Sequence, residues 1–240
     1  MKVRKVSRTP RQTQTIRRMV ITAMMAAITA LFVFTPVGMI PLPPPLPAVT
    51  LTHIPVIVAA LAEGPLVGVS TGLFFGLFSL IRAWNDPNAA ISLTQFFRDP
   101  LVSVVPRLII PLTAFAVYAL WRKLFKKRGT ADKVGAGLAA AVGALTNTVL
   151  CLGAIVLLYG APLNQLVNGV ISLGKLGAEY QNQAAAWLVA VVGLPNGLLE
   201  MGIAAILVPM VLTAVNAMNR HGVRRSQSTR QPAQAGREPK

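Results

Sequence analysis

Cysteine, histidine and acidic residues are scarce in this sequence. Its 240 residues include one cysteine, Cys151, together with 2 His and 7 Asp and Glu. A lone thiol excludes an internal disulfide and fits no metal-ligand spacing, so we expect Cys151 to pack as a small core residue. Paired carboxylates, HExxH, GxSxG and a glycine-rich ATP loop are missing as well. These absences predict that the chain is not an enzyme, holds no metal or cofactor, and relies on other chains for any ATP hydrolysis.

Charge is also sparse, because charged residues make up 12% of the chain against about 25% in a typical soluble domain. Hydrophobic residues make up 54% and are gathered into long uncharged runs. A run of about 18 or more such residues can cross a bilayer as a helix. The sequence therefore predicts an all-α membrane protein with six transmembrane helices. The predicted spans are 19–36, 48–62, 66–81, 101–121, 134–159 and 187–216.

The net charge of +16 is concentrated in three segments beside the apolar runs. Nineteen of the 23 Lys and Arg lie at residues 2–18, at 122–133 and from 220 onward. Cytoplasmic segments of membrane proteins carry such an excess of basic residues. We therefore predict that both termini are cytoplasmic and that the protein does not bind nucleic acid. The predicted domains are a basic tail at 1–15, a six-helix transmembrane domain at 16–217 and a basic tail at 218–240, which we expect to be disordered.

A proline-rich segment at 37–47 joins the first two predicted spans. Five prolines fall in the seven residues from 41 to 47, and such a run cannot continue a helix. It predicts a stiff, apolar, extended loop on the outer side of the membrane. We expect this loop either to cover a cavity between the helices or to lie as an inert segment in the membrane interface.

Few ionisable or amide side chains interrupt the apolar spans. They are His53, Arg107, Asn147, Asn196 and Glu200. Burying a charge in the bilayer costs free energy, so such groups usually face the helix bundle or a cavity. Their depths allow all five to line one cavity that opens outward, where Arg107 would pair with an anionic group of a substrate. The alternative is that Arg107 and Glu200 pair with each other and that the asparagines link helices.

The outer loop after the third span begins with Arg82, Trp84 and Asn85. These side chains could reach the mouth of the same cavity, and we include Asn85 among the candidate substrate contacts. Aromatic and basic residues at a helix end are also typical interfacial anchors, which is the alternative for this group.

The first span contains two overlapping pairs of small residues four positions apart, Ala23 with Ala27 and Ala26 with Ala30. Small residues at this spacing let a second helix approach closely. The pattern predicts either a docking surface for another membrane protein or packing inside the bundle.

Six stretches along the chain share their order and topology with a known family. They are LTHIP at 51–55, GP at 64–65 with Gly68, GLFFGL at 72–77, DPLVSVVPR at 99–107, GALTNT at 143–148 and PNGLLE at 195–200. In these stretches the chain resembles the substrate-specificity subunits, or S components, of energy-coupling factor (ECF) vitamin transporters, especially the pantothenate-type branch. The resemblance extends over residues 16–217, nearly the whole chain apart from its tails.

The resemblance implies that the protein binds a vitamin or related micronutrient near the outer face of the plasma membrane, under the loop between the first two spans. It implies docking through Ala23, Ala27 and Ala30 against a transmembrane coupling subunit, which two ATP-binding subunits energise. Pantothenate is the best candidate from the resemblance. Its carboxylate, hydroxyls and amide could be matched by Arg107 with Asn147, Asn196 and Glu200, but these side chains could equally hold another anionic micronutrient. The proline-rich loop departs from the family pattern, so contacts from that loop are not carried over.

Three other classes of function remain as alternatives. A stand-alone secondary transporter or channel for a small polar solute is the main one, although the sequence has no convincing internal repeat of the kind found in many such transporters. An intramembrane enzyme conflicts with the missing catalytic groups. A purely structural membrane protein would explain the apolar spans but not the polar residues within them.

Overall fold

The computed structural model of the protein describes residues 10–40, 49–125 and 129–228. Almost all of these residues are helical. The helices are α1 (Pro10–Phe34), α2 (Ile54–Glu63), α3 (Pro65–Asn85), α4 (Pro100–Ser103), α5 (Val105–Leu124), α6 (Thr130–Ser172), α7 (Ala184–Trp187) and α8 (Leu194–Ser228). Short 3₁₀ turns and a π-helical segment at Leu188–Gly193 complete the helical part.

Five helical segments of the described chain are long and apolar enough to cross a membrane. They are Gln12–Phe34, Pro65–Asn85, Pro100–Leu124, Thr130–Ser172 and Ala184–Val215. The prediction of an all-α membrane protein is confirmed at this level. The segment predicted as the second span is shorter than expected, because residues 49–53 form a strand and a turn and α2 has only ten residues. Ten residues rise about 15 Å, which is about half of a bilayer core.

The turn between α2 and α3 follows directly from its sequence. Gly64 has φ 97°, a left-handed conformation that side chains with a Cβ rarely adopt. Pro65 then occupies the first position of α3, where its missing N–H and fixed φ suit a helix start. The two helices therefore fold back on each other at residues 63–65, between the predicted spans 48–62 and 66–81.

Helix α6 is longer than the predicted fifth span. The predicted fifth span ends at residue 159, whereas the chain stays helical to Ser172. The helix bends at Tyr159, whose φ of −129° and ψ of 30° are not helical, because Pro162 lies just beyond and cannot donate to the preceding turn. Leu163 and Val167 then pack in a buried apolar cluster, which stabilises the extension.

The first and last long helices also extend past the predicted spans. Helix α1 begins at Pro10, before the predicted span 19–36, and α8 continues to Ser228, beyond the predicted span 187–216. Most of the predicted proline-rich loop, residues 41–47, lies outside the described residues.

The strands that flank that loop form a two-residue antiparallel pair. Strand β1 (Met39–Ile40) pairs with β2 (Val49–Thr50) in the register Met39 with Thr50. The Leu51 amide donates to the Gly38 carbonyl at 2.9 Å and extends this pairing by one step. The pair lies between the end of α1 and the start of α2.

Helix α2 forms the centre of the bundle, packed against α1, α3, α5 and α8. Its residues from Val56 to Ala60 are almost completely buried. Glycines on α3 allow the close packing of its neighbours. A Cβ on Gly72 would lie 2.3 Å from the carbonyl oxygen of Arg107, so α3 and α5 approach each other at this residue. The backbone that carries Arg107 is therefore held against α3.

Candidate functional site

A cavity of about 360 Å³ lies at the end of the bundle that is opposite the α5–α6 connection. Its walls come from α3, α5, α6 and α8, with β1 and β2 and the 3₁₀ segment Leu93–Arg98 at its edge. This volume falls in the range of small-molecule sites, roughly 300–1,000 Å³. Four of the residues predicted from the sequence line it: Arg107, Asn147, Asn196 and Glu200. Side chains from three separate helices therefore meet in one pocket.

Arg107 is the cationic group of this cavity and is only 6% exposed. Its guanidinium carbon lies 5.1 Å from the ring centre of Phe75 and 5.0 Å from that of Phe97. Its Nη1 donates to the Val102 carbonyl at 2.7 Å, while Nε has no hydrogen-bond partner among the described residues. Aromatic faces stabilise a buried cation but do not neutralise it. The arrangement therefore suits an anionic ligand group.

Glu200 is the acidic group of the cavity and is also 6% exposed. Its Oε1 accepts hydrogen bonds from the Thr50 amide at 2.8 Å and from the Thr50 hydroxyl at 2.6 Å. These bonds connect α8 to β2, at the base of the loop between the first two spans. Hydrogen bonds to a carboxylate are among the stronger ones in proteins, so this contact holds the edge of the cavity in place.

The two charges of the cavity do not form an ion pair. Among the described residues, the ion pairs within 4.0 Å are Arg17 with Glu63 and Arg122 with Asp132. The alternative reading of the sequence, in which Arg107 and Glu200 simply neutralise each other, therefore does not match the structure. Arg107 is held by aromatic rings and a carbonyl, and Glu200 is held by Thr50. A ligand can add a further polar contact to each side chain.

Cys151 lines the same cavity, next to Arg107 and Asn147. The Arg107 Nη1 lies 2.8 Å from the thiol sulfur, and the thiol is 3.5 Å from the Asn147 Oδ1. The sequence suggested a small core residue, and Cys151 is indeed buried. Its place beside the cation of the pocket could not be read from its local sequence, because Arg107 is 44 residues away.

His53 and Asn85 do not line the cavity. His53 is completely buried at the start of α2, and neither ring nitrogen has a hydrogen-bond partner among the described residues. Asn85 is exposed at the end of α3 and donates to the Ile81 carbonyl at 2.7 Å. Arg82 occupies the rim instead, where its Nη1 donates to the Val33 carbonyl at 2.8 Å.

Sequence reasoning missed the aromatic and hydroxyl residues of the pocket. Phe75 and Phe97 flank the guanidinium, and Thr50 and Thr148 contribute hydroxyl groups to the lining. One signal was available for the aromatics, because a lone arginine in an apolar span needs partners and cation–π contacts are common ones. The threonines carried no such signal.

The small residues of α1 divide between two faces. Ala26 is buried, Ala30 is half-buried, and Ala23 and Ala27 are exposed. Exposed apolar neighbours on the same helix, such as Met24, extend the outer surface. This surface is therefore apolar and carries small residues at the spacing that permits close helix contact.

The fold and the cavity together define a helical membrane protein with a polar binding pocket between its helices. The chain belongs to the family described as ECF transporter, substrate-specific component, whose model matches residues 17–212. It is thus a multi-pass protein of the plasma membrane and the substrate-specific component, or S component, of a transporter.

Two curated relatives are similar to most of the chain. Pantothenic acid transporter PanT of Lactococcus lactis subsp. cremoris (strain MG1363) is 28% identical over 142 residues, which cover 53% of this chain and 68% of the relative. Pantothenate transporter PanT of Leuconostoc mesenteroides subsp. mesenteroides is 28% identical over 186 residues, which cover 73% of this chain and 89% of the relative.

Proposed function

We propose that this chain captures pantothenate at the outer face of the membrane and delivers it inward with an ATP-driven coupling module. Membership of the S-component family and the names of both relatives support this assignment. The single observation that carries it is the buried Arg107, which lines a cavity of ligand size without a carboxylate within 4.0 Å among the described residues. A pantothenate carboxylate would supply the missing negative charge.

The remaining polar groups of the cavity suit the rest of this ligand. Glu200 can accept a hydrogen bond from a hydroxyl or an amide N–H through the oxygen that Thr50 does not use. Asn147 and Asn196 line the cavity and offer both donors and acceptors. His53 and Asn85 lie outside the lining, so the proposal gives them no direct ligand contact.

The proposed orientation places both termini in the cytoplasm, with the short α2 counted as a sixth span beside the five long segments. The basic residues of the tails and of 122–133 support this arrangement. Because the cavity lies opposite the α5–α6 connection, it then opens toward the outside, where an importer must collect its substrate.

The proposed partners are a transmembrane coupling subunit and two ATP-binding subunits, so that ATP hydrolysis takes place on other chains. The exposed small residues Ala23 and Ala27, with Ala30 beside them, are the proposed docking surface for the coupling subunit. No metal or cofactor takes part in ligand capture on this proposal.

The decisive experiment measures binding of radiolabelled pantothenate to the purified full-length chain in detergent. We expect saturable binding at about one ligand per chain. Arg107→Ala should weaken the binding free energy by about 2–4 kcal/mol, which raises Kd roughly 30- to 1,000-fold. Arg122→Ala is the matched control, because Arg122 also lies over an aromatic ring, that of Tyr118, but neither residue lines the cavity.

Three results would contradict the proposal. Unchanged affinity of a folded Arg107→Ala protein would remove the cation from the site. Copurification of a different small molecule at one per chain would reassign the substrate. Ion-coupled pantothenate flux in vesicles that contain only this chain would favour a stand-alone transporter.

A further inference from the structure

A second concave surface lies on the half of the bundle away from the ligand cavity. It is a groove of about 430 Å³ between the first half of α6 and the middle of α8. Its α6 side runs from Thr130 to Ala141, and its α8 side is formed by Ala205, Ile206 and Pro209. None of these residues lines the ligand cavity. The proposed vitamin capture therefore gives this surface no role.

Small residues create the depth of the groove. A Cβ on Gly137 would lie 2.9 Å from the Ala205 carbonyl oxygen, so the two helix backbones nearly touch there. Leu138 and Ile206 line the groove and are exposed, which makes its rims apolar. The stretch from Thr130 to Ala141 rises about 17 Å along α6, roughly half of a bilayer core. The groove is therefore about as long as one leaflet is deep.

The polar groups of the groove are confined to one end. Thr130 and Lys133 lie in the first turn of α6, and the other lining residues are apolar. Asp132, the acidic residue next to Lys133, is paired with Arg122 at 3.4 Å, and neither ion pair among the described residues includes Lys133. Lys133 is exposed. The positively charged Lys133, which has no acidic partner in the described part of the chain, therefore lies at one end of an apolar groove about as long as one membrane leaflet is thick.

We propose that this groove binds one phospholipid with an anionic headgroup, with its acyl chain between α6 and α8 and its phosphate beside Lys133 and Thr130. A phospholipid combines a negative charge and a long apolar chain in one molecule, which is the combination that the groove presents. Basic pockets between transmembrane helices attract anionic headgroups for the same reason. The partner helix of another protein would match the apolar floor but would leave the charge of Lys133 without a counterpart.

The test uses the purified full-length chain and native mass spectrometry with equal amounts of phosphatidylglycerol and phosphatidylcholine that have identical acyl chains. We expect the wild-type protein to retain one phosphatidylglycerol in preference to phosphatidylcholine. Lys133→Ala should lower this preference about fivefold, the effect expected of one basic residue near a lipid headgroup. Lys123→Ala is the control, because Lys123 is an exposed basic residue near the end of α5 that does not line the groove.

A second pair of variants tests the apolar part of the site. Ala141→Leu fills the groove and should reduce retention of both lipids, whereas Ala214→Leu adds the same volume on an exposed part of α8 outside the groove and should not. Equal effects of Lys133→Ala and Lys123→Ala, or equal retention of the two lipids by the wild type, would overturn the proposal. A dimer of the chain that only Ala141→Leu dissociates would assign the groove to a second copy instead.

Discussion

At the scale of single residues, the cavity keeps its two charges apart and gives each a different kind of support. Arg107 lies against two aromatic faces and a backbone carbonyl, and Glu200 is bonded to both donors of Thr50. Both side chains are buried, so each would be costly without these neighbours. A ligand with a carboxylate at one end and hydrogen-bond donors at the other would give Arg107 a negative partner and Glu200 a further hydrogen bond.

The Thr50 hydroxyl is expected to stabilise the fold as well as the pocket. Thr50→Val keeps the shape of the side chain but removes the 2.6 Å bond to Glu200. Since a hydrogen bond to a charged group contributes about 1.5–3 kcal/mol, we expect a loss of that order in the free energy of unfolding in detergent. Thr213→Val is the control, because Thr213 is exposed and its hydroxyl, within the described residues, donates to the Pro209 carbonyl of its own helix. An equal effect of the two substitutions would refute this role.

Cys151 provides a direct measure of occupancy, because it is the single cysteine of the chain and lines the cavity. We expect bound pantothenate to block small methanethiosulfonate reagents from the thiol. At a free ligand concentration of about 100 Kd, the modification rate should fall by roughly 100-fold if only the empty protein reacts. Mass spectrometry of the modified chain over time gives the rate. A rate that does not depend on pantothenate would place the ligand elsewhere.

At the scale of helices, the close approach of α3 to α5 sets the position of Arg107. Gly72→Ala would force a Cβ to within 2.3 Å of the Arg107 carbonyl oxygen, which is backbone and cannot rotate away. We expect the helices to separate, with a stability loss of about 1–3 kcal/mol and weaker ligand binding. Gly153→Ala in α6 is the control, because a Cβ there meets nothing within 4 Å. Thermal unfolding and pantothenate titration of both variants give the comparison.

The helices were largely predictable, because a long apolar run in a bilayer must satisfy its own backbone hydrogen bonds. A helix does this within a single segment. The errors fall where tertiary contacts override the local pattern. Residues 160–172 lie outside the predicted spans, but Leu163 and Val167 pack in a buried apolar cluster and keep them helical. The start of the predicted second span becomes a strand because Thr50 pairs with Met39.

The candidate site was predictable only in part. Charged and amide groups in apolar spans stand out in any sequence, which is why Arg107, Asn147, Asn196 and Glu200 were identified. The contact between Thr50 and Glu200 joins residues 150 positions apart, and no local pattern encodes it. Nor does the sequence separate His53, which is buried in the core, from the polar groups that reach the cavity.

At the scale of the whole molecule, ligand capture and coupling are expected to use different surfaces. Most of the helical lining of the cavity comes from α3, α6 and α8, and α1 contributes one lining residue, Val33, near its end. Ala23 and Ala27 lie more than a helical turn from Val33 and are exposed. A change at the α1 surface should therefore leave the affinity for the ligand intact.

Ala27→Leu tests this separation. Leucine adds bulk where a neighbouring helix is expected to approach closely, so we expect uptake in vesicles that contain the complete importer to fall at least tenfold, an effect of about 1.4 kcal/mol or more on the association. Pantothenate binding by the isolated variant should match the wild type within about twofold, since no cavity residue is touched. Ala119→Leu, on an exposed part of α5, adds the same volume elsewhere and should reduce neither quantity. A parallel loss of binding and uptake in Ala27→Leu would mean that α1 shapes the pocket, whereas unchanged uptake would place the coupling subunit on another face of the bundle.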